Sequence, residues 1–211
     1  MHARGDLERE IDFRRVSSGG GVISMFARRL GGLRCCASAA ARVLDRFALL
    51  QTERRFDLNL QDLQRTYKAL MADAHPDRHG HRSAEEQRQL ADHASDITDA
   101  YAVLRAPHLR AVHLLELHGA PLNEDTGSDV LGPDFLMQIM EVREELEEVG
   151  AEPPRLAALR ETNQQAMDEL HAQLHGAFDV KPDVETARAL TARLQYLQRI
   201  EEEIHERMPV K

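Results

Sequence analysis

Cysteine, aromatic residues and long apolar runs are all scarce in this sequence of 211 residues. Its two cysteines, Cys35 and Cys36, are adjacent and form no CxxC pair, which argues against a disulfide scaffold or a thiolate zinc site and favours a reducing compartment. Tryptophan is absent, and aromatic residues make up only 4% of the chain. No apolar run reaches the length of a membrane span, so we expect no membrane partner.

Charge is abundant by contrast, because 30% of the residues are charged and the net charge is −9. A net negative chain has no positive field that attracts phosphate groups, so we expect no general nucleic-acid binding. Ala, Leu, Glu, Gln and Arg recur along the chain, a composition typical of all-α proteins. The hydrophobic content of 42% is enough for one core or for two small domains.

The first 44 residues differ in composition from the rest. Four acidic residues fall within residues 1–12, whereas residues 13–44 contain six arginines and no acidic residue. From Met25, "MFARRLGGLRCCASAAARVL" is typical of a mitochondrial presequence, and a true start at Met25 would explain the acidic residues before it. We therefore expect residues 1–44 to be a disordered extension or presequence and the protein to lie in the mitochondrial matrix. The alternative is a basic tail on a bacterial cytoplasmic protein.

Two amphipathic helices joined by a polar loop are predicted within residues 45–118. Asn59 is a suitable N-cap for the first helix, and Pro76 ends it because the residue before a proline leaves the α region. Ser83 and Glu86 form a capping box that begins the second helix. A short helix precedes the pair, and another follows from "APHLRAVHLLELHG", ended by Gly119. The two apolar stripes are spaced three or four residues apart: Leu60, Leu63, Tyr67, Leu70 and Ala74, then Leu90, Ala94, Ile97, Tyr101 and Leu104.

A second helical region follows a polar linker at residues 119–132. Residues 133–211 contain three long helical patterns separated by proline, glycine and aspartate, at Pro133–Val149, Pro154–Gly176 and Pro182–Met208. Short connections favour antiparallel neighbours, so we predict an antiparallel three-helix bundle.

The loop of the first region, "HPDRHGHR", allows three interpretations. A metal site is disfavoured because Arg78 and Arg82 would repel a cation. A hydrolytic pair of His75 and Asp77 lacks a recognisable nucleophile. A solvated turn is the simplest interpretation of such a polar segment. The metal hypothesis would use four histidines, His75, His79, His81 and His93.

The surroundings of this loop point to a specific family. His75, Pro76 and Asp77 end one hairpin helix, and the other helix carries "DITDAYAVLRAP", an arrangement that resembles a J-domain. The resemblance implies that these three residues bind a DnaK/HscA-type heat-shock chaperone and stimulate its ATPase. Proline fixes φ and lowers the entropy cost of presenting the loop, and the aspartate offers a charge that an arginine can read.

The helix before the tripeptide departs from the usual J-domain pattern. Such helices normally have a strongly basic face, and Arg65 and Lys68 are the basic residues that the resemblance assigns to the chaperone here. Asp62 and Asp73 lie on the same helix. We therefore expect the chaperone to bind this J-domain-like hairpin, but less strongly than it binds a J-domain whose helix has a strongly basic face.

A wider resemblance covers Phe47 to Met208. The segments "LRAPHLRAVHLLELHGAPL", "DFLMQIMEVREELEE" and "ARALTARLQYLQRIEEEI" are similar to HscB, the J-domain co-chaperones of iron–sulfur cluster assembly. This implies an adaptor without catalytic activity, metal or cofactor of its own. Its C-terminal bundle would bind an IscU-type scaffold protein, which the J-domain delivers to the chaperone. The cysteine-rich zinc module of some members is missing. A J-protein for general unfolded clients is the alternative.

The helix from Pro133 has more apolar residues than a core requires. Leu136, Met137 and Met140 lie away from its apolar stripe, where a bundle helix is normally polar, and Glu141, Glu144 and Glu148 flank them. We expect this trio to be an exposed interaction surface, although packing beneath the linker or against the hairpin is the alternative. The stripe itself comprises Phe135, Ile139, Val142, Leu146 and Val149.

The last helix repeats this arrangement. Tyr196 projects about 120° away from its apolar stripe, and the HscB resemblance places an aromatic scaffold-binding residue there. We expect Leu136, Met137, Met140 and Tyr196 to form one patch with the three glutamates at its rim. His171 and His175 have a metal-compatible i, i+4 spacing but no third ligand, so a solvated face is expected there. The last stripe comprises Leu190, Leu194, Leu197, Ile204 and Met208.

Overall fold

The computed structural model describes residues 43–74, 83–122, 130–150 and 152–208. All regular elements in these ranges are helical, which confirms the predicted all-α fold. A π-helical turn, Gly176–Val180, joins the last two helices. The helices are α1 (Arg46–Leu49), α2 (Leu60–Asp73), α3 (Ala84–Arg105), α4 (Pro107–Leu117), α5 (Pro133–Val149), α6 (Pro153–His175) and α7 (Val184–Arg207).

Helices α2 and α3 form the predicted hairpin, and both begin at the predicted caps. The Asn59 side chain accepts hydrogen bonds from the first backbone N–H groups of α2. Ser83 and Glu86 form the reciprocal capping box at the start of α3. The rings of Tyr67 and Tyr101 stack at 4.3 Å between the two helices. Leu60 is an exception to the predicted stripe, because this first residue of α2 is 51% exposed.

A buried histidine connects α1 to α4. The backbone N–H of Arg46 donates to His113 Nε2 at 3.2 Å. His113 Nδ1 lies 3.1 Å from a carboxylate oxygen of Glu116 and 3.1 Å from Nη1 of the Arg46 side chain. The imidazole also stacks on Phe47, which is completely buried. Both polar atoms of the buried ring are thereby satisfied.

The three long helices follow the predicted bundle pattern with small shifts in their bounds. Helix α5 spans the predicted residues, and α6 begins one residue earlier than expected. Helix α7 begins at Val184 rather than Pro182, because Asp183 is its N-cap and accepts a hydrogen bond from the Thr186 N–H at 3.1 Å. None of the helices in the described ranges combines the length and the apolar character that a membrane span needs.

The hairpin and the bundle share one continuous hydrophobic core. Helix α4 packs against both α3 and α7. Phe56, in the loop between α1 and α2, is 4% exposed and lies against Phe178 of the π-helical turn, with ring centroids 6.0 Å apart. The predicted domain limits at 45–118, 119–132 and 133–211 remain predictions, and residues 1–42 of the predicted N-terminal extension lie outside the described residues.

Candidate functional site

The hairpin end that the sequence assigns to the chaperone lies partly outside the described residues. Helix α2 ends at Asp73, and His75, Pro76 and Asp77 belong to the range that the structure does not describe. Arg65 and Lys68 are both exposed on α2. Arg65 forms an ion pair with Asp62 at 3.1 Å, so part of its charge is balanced within the helix.

Helix α5 presents its extra apolar side chains on the side that the periodicity predicts. Met137 is 58% exposed and Met140 is 63% exposed, whereas Leu136 is half-buried. The opposite side carries the core residues Ile139, Leu146 and Val149, all buried. Residues 123–129 of the linker, which the alternative would place over these side chains, lie outside the described residues.

Tyr196 contacts α5 from the neighbouring helix, at Phe135 of the apolar stripe. It is half-buried, and its ring meets that of Phe135 edge-on with centroids 6.4 Å apart. Helices α5 and α7 are in contact, as a common patch requires. The aromatic pair therefore joins Tyr196 to the helix that carries Leu136, Met137 and Met140.

Charged side chains border the patch. Glu141, Glu144 and Glu148 are exposed on α5, as expected. Two arginines of α7 were not anticipated from the sequence. Arg199 lies 5.6 Å from the Tyr196 ring, and Arg193 lies 5.3 Å from the Phe135 ring, both in cation–π geometry. The i, i+3 spacing of Tyr196 and Arg199 could have indicated the first of these contacts.

The histidines considered as metal ligands do not assemble in the described part of the chain. His79 and His81 lie outside it, and His93 is exposed on α3. His175 is bound to Asp179, with Nδ1 3.0 Å from the carboxylate, and His171 packs near the Phe56 ring. No cluster of three or more potential ligands occurs among the residues that the structure describes.

Comparison with known proteins connects this geometry to one family. The family model described as "HSCB C-terminal oligomerisation domain" matches residues 131–205, which span α5, α6 and α7. The co-chaperone protein HscB homolog of Azoarcus sp. (strain BH72) is 35% identical over 162 residues, covering 76% of this chain and 91% of that protein. The chain belongs to the HscB co-chaperone family. Its hairpin is accordingly a J-domain.

Solved structures of HscB proteins have the same fold. The human co-chaperone protein HscB aligns with a TM-score of 0.72 and 30% identity, covering 81% of this chain and 84% of that one. The chaperone HscB from Vibrio cholerae aligns with a TM-score of 0.68 and 28% identity, covering 77% and 96%. The architecture of an N-terminal J-domain followed by a C-terminal helical bundle is therefore confirmed.

The comparisons do not support the mitochondrial prediction. HscB homologs of bacteria are among the most similar sequences, including those of Azoarcus and of Bordetella pertussis, the latter 32% identical over 167 residues. Residues 25–42, which carry most of the presequence-like pattern, lie outside the described residues. The presequence was predicted from composition alone. Segments rich in arginine, serine and alanine and free of acidic residues also occur in tails that carry no targeting signal.

Proposed function

We propose that this HscB protein is an adaptor between two other proteins. The J-domain, through His75, Pro76 and Asp77 with Arg65 and Lys68, stimulates the ATPase of a DnaK/HscA-type chaperone. The bundle binds an IscU-type iron–sulfur scaffold protein and delivers it to that chaperone. The bacterial relatives favour the cytoplasm as the place where this happens.

One observation carries the scaffold-binding half of this proposal. Met137 and Met140 expose more than half of their surface, on a helix whose core face is already filled. Exposed apolar side chains surrounded by charge are typical of protein interfaces, and methionine adapts its shape to a partner. The glutamates at the rim favour a partner with basic residues around an apolar centre.

A binding experiment tests this half of the proposal. A triple variant with alanine at Leu136, Met140 and Tyr196 should lose capture of the purified scaffold, while its stimulation of the chaperone without scaffold stays unchanged. The matched control is alanine at Glu161, Gln165 and Asp168, three exposed positions on α6. If the triple variant captures the scaffold normally, the patch is not the binding site. If the wild type captures only unfolded clients, the general J-protein alternative is correct.

A second experiment tests the chaperone half. His75→Gln should abolish stimulation of the chaperone ATPase in a single-turnover assay and leave scaffold binding intact, because the loop and the patch are carried by different helices. Unchanged stimulation would contradict the proposed role of the tripeptide.

Elemental analysis of the purified protein should find no stoichiometric zinc or iron. Metal bound at a fixed ratio to the protein would instead support the hypothesis that the histidines form a metal site.

A further inference from the structure

A carboxylate of the bundle binds the backbone of the loop that leads into the J-domain hairpin. Asp179 lies in the π-helical turn between α6 and α7, and its side chain is only 2% exposed. Its Oδ1 accepts a hydrogen bond from the Phe56 N–H at 2.9 Å, and its Oδ2 accepts one from the Asp57 N–H at 2.8 Å. The two donors precede it by 123 and 122 residues. A single side chain therefore connects distant parts of the chain.

The same loop is held from its other side by α4. Arg110 is 4% exposed, and its guanidinium donates to the carbonyl oxygens of Phe56 and Leu104, the latter at 2.7 Å. Burial lowers the pKa of Arg110, and the negative charges of Asp57 and Asp179 oppose this shift. The peptide group before Phe56 is thus bound by the bundle, and the peptide group after it is bound by both the bundle and the helix that follows the hairpin.

The π-helical turn brings Asp179 to this position. An extra residue in the turn changes the direction of the side chains that follow, and such turns are frequent at functional sites. Phe178 of the turn stacks on Phe56 at 6.0 Å, and His175 Nδ1 lies 3.0 Å from Asp179 Oδ2. The Asp179 carboxylate consequently contacts three polar groups, which are the backbone N–H groups of Phe56 and Asp57 and the imidazole of His175.

We propose that Asp179 is a positioning residue that fixes the direction of the J-domain hairpin relative to the scaffold-binding patch. Phe56 and Asp57 are separated from the first residue of α2 only by Leu58 and the N-cap Asn59. When the backbone of Phe56 and Asp57 is held in place, the first turn of α2, the helix that precedes His75 in the chain, is held in place as well. A fixed direction lowers the entropy cost of bringing the bound scaffold to the chaperone.

The geometric part of this inference stands by itself, whereas its consequence for the chaperone rests on the proposed function. The two parts therefore need separate measurements. The first uses the full chain with Cys35 and Cys36 replaced by serine, and with spin labels on Asp92→Cys of α3 and Glu161→Cys of α6, both exposed positions. Pulsed electron resonance then gives the distribution of distances between hairpin and bundle.

The wild-type distribution should be a single narrow peak, and Asp179→Asn should broaden it. An amide has one acceptor oxygen in place of two, so at least one of the two backbone N–H groups loses its partner. The matched control is Asp183→Ala, which removes the N-cap of α7 and lowers stability without touching the loop at Phe56. It should keep the narrow peak. A narrow peak in Asp179→Asn would overturn the proposal.

Two further measurements apply if Asp179→Asn does not fold. Asp179→Ser replaces the carboxylate with a hydroxyl and should broaden the peak in the same way. In the unaltered protein, the amides of Phe56 and Asp57 should exchange with solvent much more slowly than that of the exposed residue Arg54. Rapid exchange at both amides would also overturn the proposal.

The functional measurement is the ratio of chaperone ATPase rates with and without scaffold. This ratio should fall about fivefold or more in Asp179→Asn, as expected for the loss of a coupling between sites. Stimulation without scaffold and scaffold affinity should not change, and Asp183→Ala should keep the full ratio. An unchanged ratio together with a broadened peak would refute the consequence for the chaperone. If the wild type shows no scaffold-dependent stimulation, the proposed function fails, while the distance measurement still decides the geometry.

Discussion

The two exposed methionines of α5 are not explained by stability. Alanine is a better helix former than methionine, and a side chain more than half exposed buries little apolar surface. Leu136 differs from them because it is half-buried and contributes to both packing and exposed surface. Single substitutions at these positions can therefore separate binding from folding.

Met140→Ala should weaken scaffold binding by about 1–3 kcal/mol, the range seen at interface hot spots. Its effect on the free energy of unfolding should stay within about 0.5 kcal/mol, because the side chain is 63% exposed. Isothermal titration and chemical denaturation measure the two quantities. The control is Leu146→Ala on the same helix, which is fully buried and should cost about 2–5 kcal/mol of stability. A loss of stability in Met140→Ala with unchanged scaffold affinity would refute the assignment of this face.

Helical periodicity was sufficient to separate Met137 and Met140 from the buried stripe, because both lie on one helix with a known residue spacing. It could not show that Tyr196 meets Phe135 or that Arg193 lies over the Phe135 ring. Those contacts depend on how α5 and α7 lie against each other, which follows from packing of the whole bundle. The tripeptide at His75 was found from its place at the end of a helix pattern, and its role remains a prediction.

Among the elements, α3 begins with the most complete cap. The Glu86 carboxylate accepts from the Ser83 N–H at 2.9 Å, and the Glu86 N–H donates to the Ser83 hydroxyl at 3.3 Å. All four groups are exposed, so the hydrogen bonds compete with water and each contributes modestly. Their effect is to define where α3 starts immediately after the loop that contains the tripeptide.

Ser83→Ala should lower the free energy of unfolding by about 1 kcal/mol, the usual effect of losing an N-cap. Amide exchange should accelerate in the first turn of α3 and remain unchanged in α7. Thr162→Ala, an exposed position within α6, is the control and should be neutral or slightly stabilising. Hydrogen exchange followed by mass spectrometry measures the local change. Equal exchange in the first turn of both proteins would show that the capping box is not what defines this end.

The π-helical turn is the element that the sequence did not predict. "HGAFDVKPD" contains glycine and proline, which predict a turn but not its type. The position of Asp179 follows from a π-helical bond pattern and from the presence of Phe56, a residue distant in sequence. Local propensity contains neither kind of information, so the contact between bundle and hairpin was missed.

Two histidines at the contact of α4 with the bundle have lowered pKa values. Burial lowers the pKa of His171, opposed by Asp168 and assisted by Arg110. Burial also lowers the pKa of His108, opposed by Glu202 and assisted by His171. The His171 Nε2 is buried without a hydrogen-bond partner among the described residues. Protonation of His171 would place a positive charge beside Arg110, and protonation of His108 would place one beside His171.

Stability should therefore fall as the pH decreases below about 6.5, the usual histidine pKa in an unfolded chain. Below that pH, these two histidines bind protons in the unfolded chain but not in the folded protein. The difference ends when the pH reaches their lower pKa in the folded protein. The slope should not exceed about 1.4 kcal/mol per pH unit for each histidine. Melting temperatures between pH 7.5 and pH 5.5 test this, above the range in which carboxylates titrate. His171→Gln should flatten the curve, and His93→Gln, exposed on α3, should leave it unchanged. Curves that coincide for all three proteins would contradict the assignment.

At the scale of the whole molecule, the two proposed binding sites of this HscB chain are joined through one hydrophobic core. If both proposed sites are correct, a scaffold bound at the patch is therefore carried on the same core as the hairpin that is assigned to the chaperone. Connection within one chain makes the second encounter intramolecular, with an effective concentration in the millimolar range for closely linked sites. Two separate chains at micromolar concentration cannot reproduce that advantage.

A mixing experiment tests whether the two sites must lie on the same chain. One chain carries His75→Gln, and the other carries alanine at Leu136, Met140 and Tyr196. The first should still bind scaffold, and the second should still stimulate the chaperone without scaffold. Their mixture at about 1 μM should not recover scaffold-dependent stimulation, because the sites are then joined only by diffusion. A mixture of wild type with either variant is the control and should retain activity in proportion to the wild-type chain. Full recovery at micromolar concentration would show that chains associate, in which case the bundle would join copies of this protein as well as bind the scaffold.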